Sequence, residues 1–267
     1  MTHAIRPVDF DNLKTMTYEV TGRIARITFN RPEKGNAIIA DTPLELSALV
    51  ERADLDPGVH VILVSGRGEG FCAGFDLSAY AEGSSSTGGG GAYQGTVLDG
   101  KTQAVNHLPN QPWDPMIDYQ MMSRFVRGFA SLMHADKPTV VKIHGYCVAG
   151  GTDIALHADQ VIAAAEWGLA VEAPEPADLD ERTERLVARI AALPVNQLIM
   201  VKLALNSALL QQGVATSRMV STVFDGAARH TPEGHAFVAD AVEHGFRDAV
   251  RRRDEPFGDY GRQASRV

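Results

Sequence analysis

The sequence is short of cysteine and of positive charge, and each shortage narrows the possible functions. Cys72 and Cys147 are the only two cysteines in 267 residues. Neither stands in a CxxC or Cys/His spacing, so nothing marks a zinc ribbon or a dithiol centre, and both read as small buried hydrophobes. Aromatic residues make up 7% of the chain, and the 25 Lys and Arg are outnumbered by 33 Asp and Glu, for a net charge of −8. Nucleic acids are bound through positive surface, so no nucleic acid partner is expected, although a local basic pocket could hold one phosphorylated group. The one dense basic run, Arg251 to Arg253, is followed at once by Asp254 and Glu255 and reads as a solvated helix end. No apolar run approaches the roughly eighteen residues needed to span a bilayer, so no membrane role is expected. The N-terminus carries neither an apolar h-region nor a small-residue cleavage site, and the expectation is a cytoplasmic protein. A GxGxxG fingerprint, a P-loop, a GxSxG elbow and an HExxH pair are all missing, so neither a metal nor a separate cofactor is implied.

What is present is an ordinary globular composition, 45% hydrophobic and 22% charged, at a length that suits an enzyme. Thr17 to Val20 and Arg23 to Phe29, joined by Thr21-Gly22, carry the β-branched and aromatic pattern of a hairpin. A Pro- and Gly-containing loop runs from Asn30 to Ile38. Thr42-Pro43-Leu44-Glu45 then has a capping-box pattern, with Leu46, Leu49, Val50 and Ala53 on one face of the helix it would start. Val59 to Ser65 completes a β-α-β unit. A Gly/Ser-rich stretch over 81–115 reads as a long surface loop. Met122 to Met133 predicts one helix, Thr139 to Ile143 a strand, Gly151 to about Ala158 a helix and Gln160 to Ala164 a strand, and helices fill most of Asp180 to Arg253.

Two glycine-containing turns follow two of these strands: Phe71-Cys-Ala-Gly-Phe-Asp-Leu77, and His144 to Leu156 with Ala149-Gly150-Gly151 at its centre. Each would leave backbone N–H groups unpaired at a helix start, where they can stabilise negative charge on an oxygen. Taken alone, such glycines also occur in ordinary α/β turns. Asp153, in the first helical turn after Gly150, is either a proton carrier or an acid placed against the positive helix end. His144 and His157 sit nearby and read as a strand-end and a helix-surface residue.

Four segments in order, Ile27 to Ile38, Gly70 to Leu77, Lys137 to Leu156 and Ala158 to Ala163, resemble the enoyl-CoA hydratase/isomerase, or crotonase, superfamily. The resemblance implies an α/β fold, a crotonase-like spiral of β-β-α turns over 1–179, with a helical C-terminal region over 180–267 that helps build a homotrimer or dimer of trimers. It implies that the amides of Phe75 and Gly150 form an oxyanion hole and that Asp153 stands where hydratases carry a first catalytic glutamate. It further implies that Lys34, Ala37, Ala73, Asp76 and Leu77 line the path of coenzyme A, which enters only as part of an acyl-CoA thioester substrate. The activity implied is that of an acyl-CoA lyase adding water to a 2-enoyl-CoA. Double-bond isomerisation by one carboxylate and non-catalytic acyl-CoA binding are the alternatives.

The chain departs from the family pattern after Ala165. The stretch that brings a second catalytic glutamate has no counterpart, and Glu166 to Ala173 aligns with the far end of that stretch. Either a spiral turn is absent, or the sequence joins segments across missing residues.

Overall fold

The computed structural model describes residues 7–76, 115–163 and 170–255. Strands β1 (Met16–Thr21) and β2 (Ile24–Phe29) pair antiparallel, closed by Thr21 opposite Ile24, as the hairpin pattern predicts. β3 (Val61–Gly66), β4 (Thr139–Ile143) and β5 (Gln160–Ala163) add in parallel, and the sheet runs β1-β2-β3-β4-β5. Val61 to Val64 are all buried, the expected state of a parallel strand covered on both faces. Helix α1 (Asp41–Leu55) packs on β1, β2 and β3 through the apolar stripe read from its sequence.

The spiral is visible in the segment that leaves each strand. After β2 comes Ile38, after β3 come Cys72 and Phe75, and after β4 comes Cys147. Ile38 bridges Phe75, and Cys72 bridges Cys147, both in parallel. Each turn thus adds one strand to the main sheet and one short extended segment beside it. After β5, Val171 N–H donates to Val161 O at 2.8 Å and Ala163 N–H to Glu172 O at 3.2 Å. Val171 and Glu172, from the segment that resembles the far end of the family's stretch, therefore lie directly along β5. Residues 164–169, Glu166 among them, and the expected loop up to residue 114 lie outside the described residues.

Two local expectations are revised. The capping box does not form: α1 starts at Asp41, and Thr42 Oγ1 accepts from Ile39 N–H at 3.1 Å. Glu45 instead reaches Lys14 N–H, Thr15 N–H and Thr15 Oγ1 at 2.6–2.8 Å, because these donors preceding β1 would otherwise have no acceptor. The single helix expected around Met122 to Met133 is two, α2 (Pro115–Phe129) and α3 (Ser131–His134).

The remaining described helices are α4 (Gly150–Leu156), α5 (Leu179–Ala191), α6 (Val195–Gln211), α7 (Val214–Ala228), α8 (Pro232–His244) and α9 (Phe246–Asp254). By packing, residues 7–76 and 124–218 form one compact unit, and 115–123 with 219–255 belong to another. In the first, Val187, Ile190 and Ala191 of α5 share a cluster with Ile24, Val61, Leu63 and Val140. Both α5 and α6 thus fall in the same compact unit as the sheet. Helix α6 is held by Lys202, whose side chain is 4% exposed and whose Nζ donates to Leu132 O and Lys137 O and pairs with Asp159. In the second unit the buried Asp118 pairs with His230. The Arg251 to Arg253 run is the last turn of α9, pairing with Asp248, Asp240 and Asp254. Among the described residues no single helix is long and apolar enough to cross a membrane; α5 and α6 pass that test only as a pair bent by 103°.

Candidate active site

Gly74 and Gly150 bring the two glycine turns into contact. Gly74 has φ +87°, and a β-carbon there would lie 3.0 Å from Val148 O and 3.2 Å from Ala149 Cβ. A β-carbon at Gly150 would lie 2.8 Å from both Ile38 Cδ1 and Phe75 Cε2. Only residues without side chains let the two backbones approach this closely. Ala149, which caps α4, takes φ 47° and ψ −120°, a conformation costly for an L-residue. That bend makes Gly150 the first residue of α4, where a helix leaves its N–H groups without intrahelical partners. Among the described residues, neither the Phe75 N–H nor the Gly150 N–H has a hydrogen-bond acceptor.

Asp153 lies in the first turn of α4, and its N–H donates to Ala149 O at 3.1 Å. Its side chain is exposed in the single chain. Burial raises the Cys147 thiol above its ordinary value; the Thr152 hydroxyl opposes this, and the Asp153 carboxylate adds to it. Cys72 is fully buried, and its thiol is pushed up to about 12, chiefly by burial. Both cysteines are therefore protonated and poorly nucleophilic near neutral pH.

The residues expected along a thioester path divide. Lys34, ending a short 3-10 turn, and Ala73 are exposed, whereas Ala37 and Asp76 are buried. Ala73 N–H donates to Gly35 O at 2.9 Å and Asp76 N–H to Ile38 O at 2.9 Å, so both amides are engaged within the chain. The Asp76 carboxylate pairs with Arg31. Leu77 lies outside the described residues.

Three residues not singled out from the sequence for this site turn out to shape it. Asn36 is buried, with φ 56°; its Oδ1 accepts from Arg31 N–H, and its Nδ2 donates to the carbonyls of Arg67, Gly70 and Phe71 within 3.1 Å. Arg31 joins that loop to Asp76. His157, taken as a helix-surface residue, places Nδ1 2.6 Å from Asp153 O, the next turn back. The i, i+4 spacing from Asp153 was the available signal. Burial lowers the His157 pKa; the bond to Asp153 O opposes this, and Arg218 and His134 add to the lowering. The ring is thus neutral at neutral pH and donates through Nδ1–H.

The two glycine turns of this spiral of β-β-α turns adjoin, and each carries one backbone N–H, that of Phe75 or of Gly150, without an acceptor among the described residues. The model of the enoyl-CoA hydratase/isomerase family matches residues 24–175, more than half of the chain, and the chain belongs to that family. It is 71% identical to an enoyl-CoA hydratase of known crystal structure from Mycobacterium smegmatis, with a TM-score of 0.88 over 98% of this chain and all of that one. It is 31% identical over 144 residues to a probable enoyl-CoA hydratase of Mycobacterium tuberculosis (strain CDC 1551 / Oshkosh); the match covers 54% of this chain. The chain spans 44% of that relative's length. A carnitinyl-CoA dehydratase of Proteus mirabilis (strain HI4320) is 26% identical over 88% of this chain and 79% of its own.

Proposed function

We propose that this chain is an acyl-CoA lyase of the enoyl-CoA hydratase type. The observation that carries the reading is that the two glycine turns meet while the Phe75 N–H and the Gly150 N–H, the latter at the first residue of α4, are both left without an acceptor among the described residues. Addition of water at the β carbon of a 2-enoyl thioester pushes negative charge onto the thioester oxygen. Two amides aimed at that oxygen stabilise the enolate more than the substrate, and losing one such donor costs about 2.7–4 kcal/mol of barrier. Asp153, three residues beyond Gly150, carries a proton to or from the acyl chain. Because Asp153 is exposed in the single chain, its desolvation comes from bound substrate or from assembly. Lys34 and Ala73 offer an exposed surface for coenzyme A, with the buried Ala37 and Asp76 behind it, and Leu77 belongs to the same path by resemblance to the family; no separate cofactor is needed, since coenzyme A arrives on the substrate. Met200, Leu203, Leu205 and Leu209 of α6 are 43–62% exposed, which fits a homotrimer or dimer of trimers that covers them.

Isomerisation is the second reading, favoured by Asp153 being the carboxylate in the first turn of α4 and by Glu172 lying along β5, where the family's stretch is missing. One assay separates the two. Incubation with a short and a medium trans-2-enoyl-CoA, followed by loss of the conjugated thioester absorbance, should give a 3-hydroxyacyl-CoA, and Asp153→Ala should abolish it. A shifted alkene as product would favour isomerisation; thioester binding without turnover in either protein would end both readings in favour of a binding subunit.

A further inference from the structure

We propose that Arg31 and Asp76 are positioning residues that aim the Phe75 amide, and that Asp76 acts through this pairing and not by contact with coenzyme A. The inference rests on the enoyl-CoA reading. Ile38 N–H donates to Gly74 O at 2.8 Å and Asp76 N–H donates to Ile38 O at 2.9 Å. Because successive peptide groups in an extended segment face opposite ways, this register turns the Phe75 N–H away from Ile38 and toward the Gly150 turn. The direction of the amide is therefore the direction of the bridge.

That bridge is isolated, one residue pair long, and two hydrogen bonds alone would not hold it rigid. Arg31 supplies the missing support. Its Nη1 donates to Ala37 O at 2.5 Å and its Nη2 to Asp76 Oδ2 at 2.9 Å, so one guanidinium links the residue before Ile38 to the residue after Phe75. The side chains are 15% and 7% exposed, where a charge-assisted bond is strong and an unpaired charge costly. Arg31 is itself fixed, since its N–H donates to Asn36 Oδ1 and its carbonyl accepts from Asn36 N–H. Two acceptors at different angles require the planar fork of arginine; a lysine ammonium reaches Asp76 or Ala37 O but does not brace both in one plane.

The test uses the full chain with Arg31→Lys, Asp76→Asn and the double variant, thermal midpoints as the fold check, and two readouts. Turnover of a trans-2-enoyl-CoA should fall roughly tenfold or more in kcat in Arg31→Lys, with KM within about threefold, because a misaimed donor costs most when charge develops on the oxygen. The double variant should lose no more than the worse single one. The second readout is independent of turnover: bound trans-cinnamoyl-CoA should show its thioester carbonyl stretch lowered in the unsubstituted protein, and less lowered in Arg31→Lys and Asp76→Asn at equal occupancy. Carbonyl polarisation without hydration in the unsubstituted protein, diminished in the variants, would sink the hydratase reading and leave the positioning role standing. Equal polarisation in folded variants, or a raised KM at unchanged kcat, would overturn the positioning role alone. No carbonyl shift in the unsubstituted protein would overturn both.

Discussion

The turn around Phe75 and the turn around Gly150 each leave one amide N–H without an acceptor among the described residues, yet they are built by different means. The first is held by a polar network: Asn36, Arg31 and Asp76 tie the loop after β2 to the loop after β3 through buried, charge-assisted bonds. The second is held by shape: the left-handed Ala149, the fit of Gly150 against Ile38 and Phe75, and a helix of seven residues clipped by His157. Polar networks fix direction through specific partners, and steric fits fix it by exclusion, so the two halves should fail differently.

The largest effect is expected at the steric half. Gly150→Val forces branched carbon into a space where even a β-carbon lies 2.8 Å from Phe75 and Ile38. Turnover should fall about 10²- to 10³-fold, as for loss of an oxyanion donor, measured as kcat on a trans-2-enoyl-CoA. Asn36→Ala comes next and tests the polar half: it strands Arg31 N–H and the carbonyls it served, and should cost about 3 kcal/mol in urea unfolding. A cost under about 1 kcal/mol would mean that water replaces the amide readily. Ala149→Gly should move the other way, raising stability by about 1 kcal/mol by relieving the φ of 47°. If kcat falls in that variant while stability rises, the strain is part of what aims Gly150.

The smallest effect is one of pH. His157 has a folded-state pKa below its ordinary value of 6.5, because burial, with Arg218 and His134, disfavours the charged ring against the bond to Asp153 O. The unfolded chain then binds protons that the folded chain refuses. The stability this contributes is complete above about pH 6.5 and is lost as the pH falls toward the folded value. The thermal midpoint should therefore drop between pH 7.5 and 5.5, and drop less in His157→Asn, whose amide can replace Nδ1–H without titrating.

Much of the fold was legible because its signals are local. The hairpin, the apolar run of β3 and the stripe of α1 are periodicities that burial repeats residue by residue. The glycine turns were legible as candidates, and Gly74 and Gly150 do sit in mutual contact. Glu45 misled because a capping box and a long-range partner compete for one carboxylate, and Thr15, 30 residues earlier, has the better claim. His157 looked like surface because the sequence does not reveal what packs over a helix end.

By itself, the sequence determined the order of strands and helices, the two glycine turns and the family, since each is written in spacings of a few residues. Only the tertiary structure decided which charges meet: Arg31 with Asp76 across 45 residues, and Lys202 with carbonyls up to 70 residues away. A polar side chain leaves no periodic mark of its partner. Desolvation selects that partner only once the strands have been laid side by side and the unsatisfied groups have been brought within reach.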